Sequence, residues 1–284
     1  MSALEPAVAG SWYPARREEL ASLVDRLLDE ARERLKGSDP FSAKAVIAPH
    51  AGYAYSGAVA ASAFGSLADK VPSRIVLLGP SHHFGFSGAA VPARAVLQRT
   101  PLGDSPLDQA SLQTLLGAPG FRADDRFFVP EHALEAEVPF LQRLLGLDVP
   151  LVPILLGGGT TSEDVARVTA AVATILDPET MVVVSSDFTH YGPRFDYVPF
   201  VEDVPERLRT LDLSACSEIA RGDARGFSDL VARTGATICG RRAIEVFLGL
   251  PLGRAGGSLL EYDTSGRMTG DWDHSVSYAS MAFP

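Results

Sequence analysis

Cysteines and long apolar runs are both scarce in this sequence. Its 284 residues include only two cysteines, Cys216 and Cys239, which cannot build a disulfide framework and would be free thiols in a reducing compartment. No stretch approaches the roughly 20 consecutive apolar residues of a membrane-spanning helix. Proline and glycine interrupt the opening segment MSALEPAVAGSWYPARREEL too often for a signal peptide. These absences predict a cytoplasmic protein that does not enter a membrane.

Basic clusters and the common catalytic motifs are also missing. The formal net charge is −10, and an acidic surface repels phosphate backbones, which argues against nucleic acid as a partner. The sequence has no P-loop, no G-x-S-x-G elbow, no C-x-x-C pair and no H-E-x-x-H helix. The glycines at 157–159 lack the spacing of a dinucleotide-binding fingerprint and are interpreted as a turn that ends a strand.

Apolar β-formers alternate with amphipathic segments along the chain, which predicts an α/β fold. The apolar runs are continuous, as expected of buried parallel strands. We therefore predict a single domain over residues 1–284, with a mostly parallel sheet, helices on both faces and antiparallel strands from the C-terminal tail. The strands are expected at Lys44–Pro49, Ile75–Leu78, Ala89–Val91, Val149–Leu156, Met181–Ser185, Ser258–Tyr262 and Val276–Phe283. The helices are expected at Arg16–Leu35, Ser56–Leu67, Leu107–Leu116, Glu131–Leu145, Ser162–Leu176, Pro205–Arg221, Ala224–Arg233 and Arg241–Leu248.

Three of the predicted strands run directly into histidines. His50 follows the first strand, His82 and His83 follow the second, and His190 follows the run that begins at Met181. The carboxyl ends of parallel strands converge on one crevice, where ligands bind. Adjacent side chains of extended backbone point in opposite directions, so one of His82 and His83 should face that crevice, and strand geometry alone does not choose between them. The pattern is typical of a metal or acid–base site.

Two further segments carry groups that could take part in chemistry. Asp187 lies three residues before His190 and could orient that imidazole or ligate a metal directly; a helix-capping Asp and a surface His are the alternative. Cys239 precedes a predicted helix, whose amide groups would stabilise a thiolate; a buried small apolar residue is the alternative. His132 opens another predicted helix and either faces the site or caps the helix.

At these motifs the sequence resembles the Memo family, whose microbial members are also called AmmeMemoRadiSam system protein B. The matching segments keep the family order and span nearly the whole chain. They are AGSWYPA from Ala9, IAPHAGYAYSG from Ile47, LLGPSHH from Leu77, RTPLGD from Arg99, PEHALEAEVPFL from Pro130, VVSSDFTHYG from Val183, TICGR from Thr237 and SVSYAS from Ser275.

The resemblance implies a fold related to the class III non-haem-iron extradiol dioxygenases. It implies a metal site of His50, His82 and Cys239, which selects His82 over His83. Asp187 and His190 would be the catalytic groups. The resemblance places Trp12 and Tyr53 at the rim, and Ser81 and His132 are expected to line the pocket. Glu137 stands where some family members carry a histidine, and no ligand is expected there.

The cofactor expected from this resemblance is one transition metal ion, iron or copper rather than zinc. The dioxygenases hold iron with two histidines and a carboxylate, whereas a thiolate such as that of Cys239 is softer and favours copper. The ligand would be a small molecule or a peptide. The family name further implies a shared pathway with radical-SAM and AMMECR-type proteins.

Four functions are compatible with such a site. The first is a metal-dependent, dioxygenase-like oxidoreductase in which His190 acts as acid and base. The second is a binding protein that uses the pocket without turnover, and the third is a protein that sequesters copper or iron. The fourth, ranked last, is a metal-free hydrolase that uses Cys239, His190 and Asp187.

Overall fold

The computed structural model describes residues 2–36, 42–67 and 70–284. None of the helices in these ranges is long and apolar enough to cross a membrane. The helices are α1 (Arg17–Leu35), α2 (Tyr53–Gly65), α3 (Gln109–Leu116), α4 (Val138–Leu145), α5 (Ser162–Ala173), α6 (Val204–Ala220), α7 (Ala224–Thr234), α8 (Arg241–Gly249), α9 (Pro251–Arg254) and α10 (Ser265–Thr269). Short 3₁₀ turns lie at Asp125–Phe127, Glu135–Glu137 and Pro193–Phe195.

The strands of the same ranges form a large mixed sheet and a small one. The large sheet has the order β10-β12-β2-β9-β3-β8-β4-β7, with β11 beside β12, and the small sheet has the order β1-β5-β6. The strands are β1 (Ala3–Leu4), β2 (Ala45–Ala48), β3 (Arg74–Pro80), β4 (Ala89–Val91), β5 (Leu97–Thr100), β6 (Gly103–Pro106), β7 (Phe121–Ala123), β8 (Leu151–Leu156), β9 (Thr180–Ser185), β10 (His190–Tyr191), β11 (Ser258–Thr264) and β12 (Ser275–Phe283).

The centre of the large sheet is parallel. The strands β2, β9, β3 and β8 pair in parallel there. Every residue of β2, β8 and β9 is buried, which is why their sequences are continuous apolar runs. Ala48 pairs with Ser185, and Leu78 pairs with Val184, so β2, β9 and β3 end at the same edge. The predicted α/β architecture is confirmed.

The C-terminal tail supplies antiparallel strands, as predicted. β12 pairs antiparallel with β2, β10 and β11, so it lies inside the sheet rather than at its edge. A second antiparallel pairing joins β4 to β8. The sequence did not predict the β5–β6 hairpin, which lies in the Gly- and Pro-rich segment after β4.

The helix predicted over Glu131–Leu145 is wrong in its first half. Residues 131–134 are not helical, Glu135–Glu137 form a 3₁₀ turn, and the α-helix begins only at Val138. Pro139 is the physical reason, because proline has no N–H to donate and is tolerated only in the first turn of a helix. The non-helical segment is the part that reaches the candidate site.

Aromatic packing fixes the position of that segment. The rings of Phe64 on α2 and Phe140 on α4 are stacked, with centroids 4.9 Å apart and planes 7° apart. Both side chains are almost completely buried. Because cores pack densely and tolerate little movement, this contact holds the residues just before α4 against the edge of the sheet.

Candidate functional site

The ends of β2 and β9 bring His50, Asp187 and Cys239 together. The backbone N–H of His50 donates to Asp187 Oδ1 at 2.9 Å, which ties the two strand ends to each other. Nε2 of His50 lies 3.3 Å from Sγ of Cys239, and that sulfur accepts the backbone N–H of Asp187 at 3.2 Å. An imidazole nitrogen and a thiol sulfur therefore face each other at the edge where the sequence predicted a crevice.

The end of β3 brings His82 to the same place. Its ring centroid lies 5.2 Å from that of His50, in an edge-to-face arrangement. Nδ1 of His82 lies 2.8 Å from Glu131 Oε1, and its backbone N–H donates to Glu131 Oε2 at 2.6 Å. The carboxylate assigns the ring proton to Nδ1 and leaves Nε2 with a free lone pair. Burial raises the pKa of Glu131, but the hydrogen bonds and charge of His82 outweigh it and lower that pKa overall.

His132 is the third imidazole of the cluster. Each of His50, His82 and His132 has a ring nitrogen within 4.8 Å of such a nitrogen on the other two, and these three nitrogens could hold a metal ion. The rings of His82 and His132 are stacked 4.7 Å apart. Burial, reinforced by the charge of His82, lowers the pKa of His132 to about 4, so this imidazole is neutral at neutral pH. The sequence predicted His132 only as a pocket residue.

A buried chain of polar groups holds the far side of the His50 ring. Nδ1 of His50 lies 2.7 Å from Ser185 Oγ, which is also 2.7 Å from Glu137 Oε1 and 2.6 Å from the carbonyl oxygen of Ala133. Burial raises the pKa of Glu137 well above its usual range. The hydroxyl of Ser185 has a single hydrogen, which it donates to the carbonyl oxygen of Ala133 or to Glu137 Oε1, so toward Nδ1 of His50 it can only accept.

This chain fixes the tautomer of His50, with Nδ1 protonated and Nε2 directed at Cys239. Glu137, at which no ligand is expected, is separated from the His50 imidazole by the hydroxyl of Ser185. No role is predicted for Ser185 from the sequence. Its place as the last residue of a predicted strand, two residues before Asp187, was the signal that could have singled it out.

His190 is held separately from the other imidazoles. Its Nδ1 lies 3.0 Å from the carbonyl oxygen of Phe188 and 3.1 Å from that of Thr237, so Nδ1 carries the proton and Nε2 is left as the basic nitrogen. No hydrogen bond joins Asp187 to His190 in the described part of the chain. Burial raises the pKa of Asp187, and its carboxylate serves the backbone of His50 instead.

The position of Cys239 before α8 and its burial act in opposite directions on its thiol. Burial, together with the charge of Asp187, raises the pKa of this thiol well above its usual range. The start of α8 does not outweigh that burial. A cation bound beside the sulfur would supply the missing stabilisation, because a coordinating thiol is deprotonated by the metal.

Comparison with known proteins assigns this chain to a family. A family model described as Memo-like protein matches residues 4–282. The chain belongs to the Memo family. It is 33% identical to a MEMO1 family protein of Methanopyrus kandleri over 98% of each chain, and 33% identical to the memo-1 homolog of Caenorhabditis elegans over 96% of this chain and 80% of that one. The predicted family is thereby confirmed.

A solved structure also aligns with this Memo-family chain. It is that of an uncharacterized protein of Escherichia coli K12, with a TM-score of 0.45 and 16% identity, and the match covers 75% of this chain and 86% of that one. So remote a likeness adds nothing about the site. The names of these relatives state neither a metal nor a reaction.

Trp12 of the Memo-family chain covers His132. The two ring centroids lie 4.1 Å apart at an interplanar angle of 57°. Glu135 anchors the segment that carries Trp12, because its carboxylate accepts the backbone N–H of Ala7 at 2.6 Å and also the hydroxyl of Tyr13. The N-terminal segment is therefore part of the wall of the site.

Tyr53 is placed below the site rather than at its rim. Its hydroxyl donates to the carbonyl oxygen of Ala136 at 2.7 Å, and its ring packs 5.0 Å from that of Phe140. The side chain is buried, and its polar atom is already used. Tyr53 thus supports the residues before α4 instead of contacting a ligand.

The two histidines after β3 are both exposed, and only His82 belongs to the cluster. The ring centroid of His83 lies 6.3 Å from that of His132. Ser81 borders the same cavity as His82 and Cys239. His50, His82, His132, Asp187 and Cys239 thus lie together, whereas His190 is held apart on two carbonyl oxygens and Tyr53 lies beneath.

Replacing Glu131 by glutamine should weaken metal binding about 10- to 100-fold, the usual cost of losing the partner behind a ligating histidine. The amide of glutamine can still reach Nδ1 of His82, but it no longer supplies the negative charge that makes the imidazole a stronger donor. The dissociation constant can be measured by competition with a chelator. Glu163→Gln is the matched control, because Glu163 is exposed on α5 and pairs only with Arg167; equal affinity in the two variants would contradict the prediction.

Proposed function

We propose that this Memo-family protein binds one transition metal ion, iron or copper, and uses it as a dioxygenase-like oxidoreductase. The ligands would be His50, His82 and Cys239. The observation that carries the proposal is the free Nε2 of His50, which lies 3.3 Å from the sulfur of Cys239, with the ring of His82 beside it.

The imidazoles fit such an ion, because nitrogens of His50 and His82, with His132, lie within 4.8 Å of one another, and the sulfur of Cys239 lies beside His50. Metal-ligating histidines commonly donate their second ring N–H to a carboxylate or another fixed polar group, and Glu131 and Ser185 occupy that place behind His82 and His50. Imidazole and thiolate ligands suit iron, copper and zinc. The redox chemistry of the reaction would be supplied by the bound iron or copper.

The protein's own groups would bind and orient the substrate and move protons. His190 keeps its Nδ1 proton on two carbonyl oxygens, so Nε2 is the atom that can take up or return a proton at the substrate. His190 also lies near the cluster. The pKa of His50 is lowered first by burial and then by the charges of His82, His132 and His190. Trp12 would cover the site and limit the access of water.

A metal-free hydrolase is the weaker alternative. Such an enzyme needs a thiolate activated by a neighbouring base and a carboxylate that orients the base. Burial raises the pKa of Cys239, and Asp187 hydrogen-bonds to the backbone of His50 rather than to His190. The geometry therefore favours the metal-dependent proposal.

The decisive measurement is the metal content of untagged protein after anaerobic reconstitution with Fe(II) or Cu(I). We expect about one equivalent in the wild type and almost none in His82→Ala, because a ligand has been lost. His83→Ala is the matched control, since it removes the neighbouring exposed imidazole and should bind normally. Less than about half an equivalent in the wild type would refute the proposal.

Measurement of oxygen consumption then distinguishes an enzyme from a protein that only sequesters the metal. With metal bound, we expect uptake of dioxygen on addition of a suitable small organic substrate, and no such uptake in His190→Ala although it retains the metal. Stable metal binding without turnover of any catecholic or related substrate would instead favour sequestration or ligand binding at the same pocket.

A further inference from the structure

A cavity beside the cluster is basic although the protein is acidic. It has a volume of about 290 Å³ and lies between the ends of β3 and β8 and the start of α8. Its wall includes His82 and Cys239, so it opens directly on the proposed ligands. Arg241 and Arg242 also line it, and none of its lining residues is an aspartate or a glutamate. With a formal net charge of −10 for the whole chain, such a lining is unusual.

Two polar atoms of the cavity wall are buried without a partner. They are Oγ of Ser81 and Nε of Arg242. A buried polar group without a hydrogen bond is costly, and such groups in native proteins call for an explanation, such as a ligand. Both atoms can donate, so the missing partner is an acceptor.

The two arginines differ in their ion pairs. Nη1 of Arg242 lies 2.6 Å from Glu245 Oε2, which holds the guanidinium in place and leaves its Nε for a ligand. Arg241 forms no ion pair with a carboxylate in the described part of the chain, and its side chain is exposed at the cavity mouth. A free guanidinium next to a fixed one suits a planar anion that accepts two hydrogen bonds.

The rest of the wall is apolar. Pro80, Leu156 and Ala243 contribute it, and Gly158 adds no side chain. A site with one charged end and apolar sides binds a small amphipathic molecule, because the polar groups fix its orientation and the apolar wall buries the remainder.

We propose that this cavity binds the carboxylate of a small organic acid, which is held by Arg241, Nε of Arg242 and Oγ of Ser81 so that its apolar part lies beside His82 and Cys239. The inference deepens the proposed function, on which it rests for the identity of the reacting substrate. It names the substrate class as carboxylic acids.

The test uses benzoate and its neutral isostere benzamide as probes. Dissociation constants are measured by NMR titration of the full-length protein, both with metal and without it. We expect benzoate to bind and benzamide to bind at least about tenfold more weakly, because charge-assisted hydrogen bonds are the strong ones. Inorganic phosphate is titrated in parallel.

Arg241→Met should weaken benzoate binding about tenfold or more while leaving benzamide unchanged, and Arg241→Lys should fall between, since lysine keeps the charge but not the planar fork. Arg225→Met is the matched control. Arg225 is an exposed arginine of α7 outside the cavity, and its loss should not change binding. Ser81→Ala should weaken binding severalfold.

Three results would overturn the inference. They are equal affinity for benzoate and benzamide, equal affinity in the wild type and Arg241→Met, and tighter binding of phosphate than of benzoate. Metal content is recorded for each variant. If the protein holds its metal normally but does not prefer benzoate to benzamide, this inference is wrong and the proposed function stands. If the protein binds benzoate but takes up no metal, the proposed function is wrong and the carboxylate site stands.

Discussion

Replacing Cys239 by serine should abolish binding of the transition metal ion. A serine hydroxyl is not deprotonated at neutral pH and is a hard, weak donor, so one of the three proposed ligands is lost. Since loss of a group behind a ligand already costs about 10- to 100-fold, loss of a ligand itself should exceed that. The metal content and the affinity in competition with a chelator provide the measurement.

Cys216→Ser is the control for that experiment. Cys216 is the other cysteine of the chain, buried on α6, and its replacement should leave the metal in place. His132→Ala tests the other ligand set, the three histidines, whose nitrogens lie within 4.8 Å of one another. If His132→Ala loses the metal and Cys239→Ser keeps it, the three histidines are the ligands and the role assigned to Cys239 is wrong.

Gly240→Ala should destabilise the protein and remove its metal, although it adds only one methyl group. A Cβ atom on Gly240 would lie 2.5 Å from Oγ of Ser186 and 2.8 Å from the carbonyl oxygen of Ser185. The backbone N–H of Gly240 also donates to Ser186 Oγ at 3.0 Å. The two segments would therefore have to separate, which moves Cys239 away from His50.

We expect the free energy of unfolding to fall by about 1–3 kcal/mol, the usual cost of overpacking. Gly85→Ala is the matched control, because a Cβ atom there would have no neighbour within 4 Å, and its effect should stay within about 0.5 kcal/mol. Chemical denaturation and metal analysis of both variants test this. Wild-type stability with full metal content in Gly240→Ala would contradict the prediction, because it would show that the added Cβ atom does not force the two segments apart.

Local patterns in the sequence were sufficient for the parallel core of the fold. The four apolar runs around Val46, Ile75, Val152 and Val182 are β2, β3, β8 and β9, because a strand buried on both faces needs an apolar residue at every position. The convergence of His50, His82 and Asp187 follows once β2, β9 and β3 pair in parallel, because their carboxyl ends then lie at one edge.

The remainder depended on interactions that local patterns do not encode. Nothing near β12 indicates that it lies between β10 and β2, since strand order is set by pairing of distant segments. His132 is predicted from the sequence to open a helix, yet Pro139 delays the start of the α-helix to Val138. Glu137 becomes a hydrogen-bond partner only through Ser185, more than forty residues away.

The position of β12 has a consequence for how the protein matures. Residues of β12 pair with β2 near the start of the chain, and the backbone of Ser277 exchanges hydrogen bonds with Phe188 and Thr189, at 2.8 and 3.0 Å, beside Asp187. Pairing over such a sequence distance is slow. The crevice beside Asp187 is therefore completed late in folding, after β2 and β12 have come together, and binding of a metal there would follow that step.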